Sequence, residues 1–539
     1  MSMSKEKAAA HANEPAVLCC QRPKGTVISE ADLEDPTIFV DLEDSGLLTI
    51  PEGSLTVGEV LGRKLAADTD ALTAVQAAML ESGAPAADLG TAAAGPKSGI
   101  ASAGAKREDV VIRSLTHKYY AVDDVSIGDS TSFASGRLTI DGSLAKKALA
   151  SSLLVKKVEM DVIRPDGDRH IAINTIMDVM PVAVKRTGRM GEGETAVLDR
   201  VVFCLTGVDE NGVQIHEFGS CDGYLDERVA FGRPGAPDSG DIIVRVNVVI
   251  AANTGMERRG PLAAHTACDV IVDAVRSVLK ASGEAPSYTR GYRDVRRHGL
   301  PRVAIVKEIM GQGAMHDNIL LPNEPAGVMG GQKNVDLGNV PVMLSANEVR
   351  DGGIHALTCI GPATKETTRH YFREPLVHAL AEDDELDLVG VVFIGSPQVN
   401  DEKMYVSERL GAWIEALDLD GAIVTTEGFG NNHIDFAGNI AAIGSRGVPV
   451  VGVTYAGYQG QLVVGNEYMD AMVEINKDAK GFENEVLSCS SICPEDAERA
   501  RLMLKAKMAG IPVAPAERRW SQGVIDANQK LAAGLTAGR

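Results

Sequence analysis

The sequence has few of the residues that mark several common classes of protein. Eight cysteines are spread over 539 residues, which is too sparse for a disulfide scaffold and is typical of a reducing compartment. Basic residues are also in deficit, since 53 Lys and Arg stand against 74 Asp and Glu and give a net charge of −21. Nucleic acids and anionic membranes are bound by clustered positive charge, so this balance argues against both as partners.

Long hydrophobic runs are missing as well. Residues 1–14 contain lysines but no apolar signal-peptide core, and nowhere does the chain have the run of about eighteen apolar residues that a membrane-spanning helix needs. Hydrophobic residues make up 45% of the chain and charged residues 24%, which is the composition of a soluble globular protein. We therefore expect a cytoplasmic enzyme.

Shifts in composition divide the chain into four parts. Residues 1–81 are expected to form a small N-terminal α+β unit, and residues 82–107 form a flexible linker rich in Ala, Gly and Pro. Residues 108–300 read as a largely antiparallel, β-rich region with a long helix near its end. Residues 301–539 alternate strands and helices, which predicts a Rossmann-like parallel sheet. The predicted fold class is thus α/β with a β-rich middle.

Three strongly apolar strands are predicted in the last part, near residues 303–306, 388–394 and 422–426. Because ligands bind outside the carboxyl ends of strands in open α/β sheets, the loops that follow supply candidates for substrate binding. The alternative is that these polar loops cap helices and face water. No element presents histidines and acids at metal-ligand spacing, so no metal site is expected. The candidates for substrate binding are Glu308, His316, Glu427 and His433.

One stretch, D-G-G-I-H-A-L-T-C-I-G-P at residues 351–362, suits cleavage of the backbone by a side chain. The thiol of Cys359 can attack the carbonyl of Thr358, and loss of the Cys359 α-proton from the resulting thioester leads to a pyruvoyl group. Glycines permit the strained backbone that such a reaction needs, and His355 is the candidate proton shuttle. From the residues alone, a lone cysteine is more often a small buried hydrophobe.

This stretch and several other blocks, in the same order along the chain, resemble the pyruvoyl-forming proproteins of the D-proline reductase family, which is related to component B of the glycine, sarcosine and betaine reductases. Several long blocks in one order are far more specific than any single motif. The blocks that carry the resemblance are residues 11–20, 42–51, 308–318, 351–366, 369–377 and 424–436.

The resemblance implies a function. The Thr358–Cys359 bond would be cut into chains 1–358 and 359–539, with Cys359 becoming the covalent pyruvoyl cofactor. D-proline would bind to this group and be opened reductively to 5-aminovalerate, with electrons from a dithiol or an electron-donor protein. The family's attacking selenocysteine belongs to a separate, smaller subunit, so a hetero-oligomer is expected.

Other residues keep two interpretations. Arg369, His370 and Arg373 follow the cleavage stretch, and arginine suits the carboxylate of a substrate, but the three could equally form a solvated helix face. Adjacent Cys19 and Cys20 could carry electrons or simply pack. Two other functions also remain: a reductase component for another amine such as glycine, sarcosine or betaine, and an uncleaved scaffold or binding paralogue.

Overall fold

The structure is a computed structural model, and it describes most of the chain from residue 109 onward with small parts of the N-terminus. The Cys19-Cys20 pair, the linker at 82–107, His316 and the Thr358–Cys359 bond lie outside the described residues, so the four-part division of the chain stays a prediction. The described residues are 4–14, 16, 27–30, 33, 55–61, 109–215, 221–255, 258–310, 319–320, 335–336, 338–357, 366–397, 399–428, 430–456, 462, 464–478, 485–513 and 530.

The middle of the chain is rich in strands, as the sequence indicates. They form sheets with the strand orders β13-β1-β9-β8, β5-β12-β10-β7, β2-β4-β3 and β11-β6. The strands are β1 (Val110–Ala121), β2 (Asp124–Gly128), β3 (Ser132–Ala134), β4 (Arg137–Asp141), β5 (Val155–Ile163), β6 (Ala172–Ile173), β7 (Thr175–Met180), β8 (Ala183–Thr187), β9 (Gly193–Asp199), β10 (Val201–Asp209), β11 (Gly223–Tyr224), β12 (Ile242–Ile250) and β13 (Tyr288–Arg296).

These sheets are mixed, whereas the sequence suggested largely antiparallel pairing. Strand β1 pairs antiparallel with β13 but parallel with β9, and β10 pairs parallel with β12 but antiparallel with β7. Parallel neighbours need long crossovers, and a sequence read segment by segment does not show which strands a crossover joins. Strands β9 and β10 are separated by the single residue Arg200, whose φ of +64° breaks the extended chain between them.

The helices follow the sequence prediction closely where it made one. The long helix predicted near the end of the β-rich region spans Arg259–Ala281, and the last helix of the chain's described residues with assigned bounds spans Pro494–Met508. The helices are α1 (Lys5–Ala10), α2 (Val57–Val60), α3 (Leu144–Leu149), α4 (Leu225–Arg228), α5 (Arg259–Ala281), α6 (Ala346–Arg350), α7 (Thr368–Phe372), α8 (Pro375–Ala381), α9 (Asn400–Leu417), α10 (Asn432–Gly444) and α11 (Pro494–Met508).

Helix α5 forms the core of the middle region together with the strands. Its buried positions Cys268, Ile271, Val275 and Leu279 recur at helical spacing and lie in one hydrophobic cluster with strand residues such as Phe203. None of the helices in the described ranges is both long enough and apolar enough to cross a bilayer.

The later part of the chain contains a six-stranded sheet with the order β17-β19-β14-β20-β21-β22. All its pairs are parallel except the edge pair of β17 with β19. The mixed α/β class is therefore confirmed, while the closer likeness to a Rossmann-like sheet stays a prediction. The strands of this part are β14 (Arg302–Met310), β15 (Ile319–Leu320), β16 (Val335–Asp336), β17 (Val342–Leu344), β18 (Ile354–His355), β19 (Asp387–Ser396), β20 (Gly421–Thr426), β21 (Val450–Thr454) and β22 (Met472–Glu474).

Strand β14 lies inside this sheet and is apolar on both of its faces. Val303 and Ile305 pack in a cluster that includes residues of α8 and α11, whereas Ala304 and Val306 pack with α9 and α10. Helices on both faces explain why its sequence reads as a continuous apolar run. Both neighbours of β14, the strands β19 and β20, come later in the chain than residue 358.

This arrangement predicts that residues 359–539 do not fold on their own. Without β14, strands β19 and β20 each lose a hydrogen-bonded neighbour, and both faces of the sheet lose the apolar side chains of that strand. Fragment 359–539, expressed alone, should be insoluble or lack a cooperative unfolding transition, and co-expression with 1–358 should restore a soluble pair. Circular dichroism and thermal unfolding measure this.

Gly299 has a φ of +87° and lies in the turn between β13 and β14. A fragment that begins just after this turn interrupts neither strand and is therefore the matched control. A fragment beginning at residue 300 contains every strand of the six-stranded sheet and should be more soluble than 359–539. Equal folding of the two fragments would contradict the importance of β14.

Candidate active site

The residues that precede the Thr358–Cys359 bond are placed by a tight turn. After helix α6 the chain passes through Gly352, which has a φ of +79°. A side chain added at Gly353 would lie 2.8 Å from the carbonyl oxygen of Glu348. Glycine is suited to both positions, so the glycine pair of the sequence turns the chain directly into the short strand β18, which contains His355.

Asp351 anchors this turn to the middle of the chain. Its buried carboxylate pairs with Lys185 and accepts hydrogen bonds from the Thr195 hydroxyl at 2.6 Å and the Gly191 amide at 2.8 Å. The Nε2 atom of His117 lies 3.5 Å from the same carboxylate. A buried carboxylate is costly unless it is paired and hydrogen-bonded, so these contacts hold the turn in one position.

His355 itself lies in a fully buried group that we call the upstream cluster, which consists of Asp178, His265, Asp269, His355 and Thr368. The Oδ2 atom of Asp178 is 3.7 Å from the Nε2 of His355 and 3.6 Å from the Nε2 of His265. Thr368 donates a hydrogen bond to the same oxygen at 2.6 Å, and its hydroxyl accepts one from the Ala356 amide at 2.9 Å. The cluster thus connects residues on either side of the Thr358–Cys359 bond.

Burial lowers the pKa of His355 well below its usual range, and the nearby His265 and Arg276 lower it further. The imidazole is therefore neutral at pH 7 and a weak proton acceptor. Its ring nitrogens make no hydrogen bond within the described residues. Its role as a proton shuttle stays a prediction.

A second group, the downstream cluster, consists of Lys307, Glu366, His370 and Glu374. The Lys307 ammonium donates hydrogen bonds to Glu366 at 2.9 Å and to Glu374 at 2.8 Å, and the Nε2 of His370 lies 3.3 Å from a carboxylate oxygen of each. All four side chains are buried. Two basic groups and two carboxylates balance each other here, which is the condition under which buried charges are tolerated.

The charges of this cluster set its protonation. Burial alone would lower the pKa of His370, but Glu366 and Glu374 outweigh it and raise that pKa to about 9. Burial alone would raise the pKa of Glu374, but Lys307 and His370 outweigh it and lower that pKa to about 2. Glu374 also caps helix α8 by accepting a hydrogen bond from the Leu376 amide. At neutral pH, His370 is therefore a cation and Glu374 an anion.

The two arginines predicted to bind a substrate are paired with acids of the chain. Arg369 donates to Asp241 at 2.6 Å and to Asp238 at 2.9 Å, and Arg373 donates to both oxygens of Asp238 at 3.0 and 2.8 Å. Arg369 is buried and Arg373 is about one-third exposed. They do not form the solvated helix face of the alternative interpretation, and their role with a substrate stays a prediction.

The carboxyl ends of the parallel strands β19, β14 and β20 lie side by side at one end of the sheet. Glu308 accepts hydrogen bonds from Thr426 at 2.8 Å and from Asn439 at 2.9 Å. Burial, and then the nearby charge of Asp435, raise the pKa of Glu308 well above its usual range and favour its protonated form. In the same buried group, Asp435 pairs with Lys403 and accepts a hydrogen bond from Ser396 at 2.6 Å.

Glu427 and His433 lie near this end of the sheet too. The Tyr371 hydroxyl donates to Glu427 at 2.5 Å, and the Nε2 of His433 lies 3.1 Å from the Thr454 hydroxyl. Burial lowers the pKa of His433 to about 4. Both side chains are buried, so neither faces water as the alternative interpretation required.

Several residues of these clusters were not among the site candidates predicted from the sequence. Asp178 and His265 come from a strand and a helix far from residue 355, and no local pattern joins them. Lys307 carried a usable signal, because a lysine inside the apolar run V-A-I-V-K-E-I must find buried acids. Lys403, inside helix α9, carried no such signal.

Comparison with known proteins identifies the class first. Residues 264–481 match the family of glycine/sarcosine/betaine reductase component B subunits. The chain is 27% identical to the glycine reductase complex component B subunits alpha and beta of Acetoanaerobium sticklandii, over 63% of this chain and 79% of that protein. It is 31% identical to the sarcosine reductase complex component B subunit alpha of Peptoclostridium acidaminophilum, over 29% of this chain and 34% of that protein. No solved structure matches the chain.

A match that covers nearly the whole chain identifies the particular family within this class. The chain is 46% identical to the D-proline reductase proprotein of Acetoanaerobium sticklandii, over 98% of this chain and 95% of that protein. It therefore belongs to the D-proline reductase proprotein family.

The downstream cluster predicts a loss of stability in mild alkali. The pKa of His370 is raised to about 9 in the folded protein, whereas a histidine in the unfolded chain has a pKa of about 6.5. Its protonated side chain therefore contributes fully to the free energy of unfolding below about pH 6.5, and this contribution is lost as the pH rises through 9. This pKa shift corresponds to a contribution on the order of 3 kcal/mol to the free energy of unfolding. Denaturant unfolding between pH 6 and 10 should show this loss, and His370→Gln should remove it.

His433→Gln is the matched control. His433 is also buried, but its pKa is lowered to about 4, so it stays neutral across the alkaline range and its removal should leave the alkaline loss unchanged. An alkaline loss of the same size in His370→Gln would show that another group causes it.

Proposed function

We propose that the chain is the proprotein of a pyruvoyl-dependent D-proline reductase, that it cleaves itself between Thr358 and Cys359, and that Cys359 becomes the pyruvoyl group on which D-proline is opened to 5-aminovalerate. The observation that carries the proposal is the identity of 46% to a D-proline reductase proprotein over 98% of the chain. Partial or chance similarity does not extend along two whole chains in this way.

The cleavage begins with the Cys359 thiolate. Its sulfur attacks the Thr358 carbonyl carbon, and the peptide C–N bond breaks as the C–S bond forms, which leaves a thioester and a free amine. Removal of the Cys359 α-proton then expels the thiocarboxylate of Thr358 and leaves dehydroalanine. Water hydrolyses its imine tautomer to the pyruvoyl group and ammonia. The new carbonyl supplies an electrophile that no unmodified side chain provides.

The described residues support this proposal by what they do on each side of the bond. Asp351 is buried and anchored just before it, and Glu366 and Thr368 are buried and anchored just after it. Fixing both ends of the intervening segment lowers the entropy lost when sulfur and carbonyl meet. The buried surroundings also suit a reactive carbonyl, because they exclude bulk water from these residues.

The family also supports an assembly. The glycine and sarcosine relatives are named as components of reductase complexes. We propose that this chain likewise works in a hetero-oligomer, with a selenocysteine-containing subunit that attacks the substrate and a dithiol or electron-donor protein that supplies electrons. On this proposal the chain alone forms the carbonyl but does not reduce D-proline.

Intact-mass spectrometry tests the processing. The purified chain should separate into 1–358 and 359–539, and phenylhydrazine should add to the smaller product, because hydrazines condense with a ketone carbonyl. Cys359→Ala should give a single uncleaved chain with no adduct. Cys489→Ala is the matched control, since Cys489 is a partly exposed thiol in the same product, and it should process normally.

A single unmodified chain in the wild type would favour the uncleaved scaffold or binding paralogue, provided that addition of the partner subunit does not trigger cleavage. Cleavage in Cys359→Ala would disprove the thiol mechanism.

A reductase component for another amine is the second candidate, and the match to component B of glycine reductase favours it. Turnover by the reconstituted complex with D-proline, glycine, sarcosine and betaine separates the two. We expect 5-aminovalerate from D-proline and no product from the other three, because the D-proline family match covers far more of the chain. Preferred turnover of any of the others would reassign the substrate and leave the cleavage mechanism intact.

A further inference from the structure

The upstream cluster has a feature that hydrogen bonding does not explain. Asp178, His265 and His355 can each offer one ligand atom, and these three atoms all lie within 4.8 Å of one another. All three side chains are fully buried. They come from strand β7, helix α5 and strand β18, so three separate elements place these atoms together.

The separations of these atoms are too long for hydrogen bonds. Each Nε2 lies 3.6 or 3.7 Å from the Asp178 oxygen, and neither nitrogen has a hydrogen-bond partner in the described part of the chain. Two unpartnered imidazole nitrogens at full burial are costly. The spacing does suit a shared ion, because ligand atoms bound at about 2.1 Å in a tetrahedron lie about 3.4 Å apart.

The second ring nitrogens of His265 and His355, their Nδ1 atoms, also have the neighbours that are usual for histidines bound to a metal ion. The Nδ1 of His265 lies 2.9 Å from the carbonyl oxygen of Pro261, and donation to that oxygen would leave Nε2 with a free lone pair. The Nδ1 of His355 lies 3.9 Å from a carboxylate oxygen of Asp269. Ligating histidines are generally oriented in this way, by a carbonyl or carboxylate on the other nitrogen.

The charges of the site favour a cation. Asp178 and Asp269 are both buried acids, and the ionic partners within 4 Å of Asp178 among the described residues are the two histidines. The neutral imidazole is the form that binds metal. Arg276 is the basic side chain that acts on His355 from helix α5.

The downstream cluster offers a contrast within the same chain. Glu366, His370 and Glu374 also bring three potential ligand atoms within 4.8 Å of one another. There, however, the Lys307 ammonium already lies 2.8 to 2.9 Å from both carboxylates. That position is occupied by a cation of the chain itself, whereas no lysine or arginine of the described ranges pairs with Asp178.

We propose that Asp178, His265 and His355 bind a divalent transition-metal ion of the Zn²⁺ or Fe²⁺ type. Two imidazoles and one carboxylate form the ligand set of both open zinc sites and non-haem iron sites. The ion orients His355 and, through Thr368, connects the residues on either side of the Thr358–Cys359 bond. The sequence had predicted no metal, because these ligands are spread over distant segments.

The proposal reassigns His355. An ion on Nε2 removes the nitrogen that would accept a proton, so metal binding and the predicted proton shuttle at that atom exclude each other. All three ligands lie in residues 1–358, so binding does not depend on cleavage, and the metal site would remain if the proposed processing were wrong.

Metal analysis of the full-length chain tests the site. The protein is stripped with a chelator, dialysed without oxygen against Zn²⁺ or Fe²⁺, and its bound metal is measured by inductively coupled plasma mass spectrometry. The wild type should retain about one equivalent of one of these ions, and so should Cys359→Ala. His265→Gln and His355→Gln should each lose it. His433→Gln is the matched control, because His433 is also fully buried but lies in helix α10, outside the upstream cluster, and it should retain the metal.

Cobalt provides a readout that does not need the variants to fold. Co²⁺ bound to the stripped wild type should give visible d–d absorption and raise the melting temperature as its concentration rises, and X-ray absorption should show nitrogen and oxygen ligands. No retained Zn²⁺ or Fe²⁺ and no Co²⁺ spectrum in the wild type would overturn the proposal. So would unchanged binding in folded His265→Gln and His355→Gln.

Discussion

The pairing of the buried Lys307 ammonium with Glu366 and Glu374 is the contact on which the candidate active site most depends. Lys307 belongs to β14, in the interior of the six-stranded sheet, and both acids follow the Thr358–Cys359 bond. Removing one member of such a group leaves an uncompensated charge in the protein interior, which typically costs about 3 to 5 kcal/mol. The pairing of Lys307 with these two acids therefore fixes the position of the chain after the Thr358–Cys359 bond relative to strand β14, which precedes that bond.

Two buried histidines that flank the same bond have pKa shifts in opposite directions. His355 and His370 are both fully buried, yet the pKa of His355 falls and that of His370 rises to about 9. The difference lies in their neighbours: His370 lies between two carboxylates within 3.3 Å, while His265 and Arg276 act on His355. At neutral pH the chain thus holds the His355 imidazole neutral, as a ligand or acceptor, and the His370 imidazole as a cation.

The sequence predicted individual elements better than their arrangement. Periodicity located the long helix α5 and the apolar strands β14, β19 and β20, because each carries its own burial pattern. It did not predict that β1 pairs parallel with β9, since pairing depends on contacts between distant segments. The same distinction between local signals and contacts made by distant segments holds for the candidate site. The glycine pair before His355 was recognisable locally, whereas Asp178 and His265 reach it only through the fold.

The position of β14 has a consequence for biosynthesis. Translation delivers this strand with both hydrogen-bonding edges unpaired, and its first neighbour, β19, begins only at residue 387. During that interval an apolar strand is available to pair with other nascent chains, which is a recognised route to aggregation. The ribosome-bound chain is therefore most prone to aggregation after β14 has been synthesised and before β19 has been. Holdase chaperones would have their greatest effect during this interval.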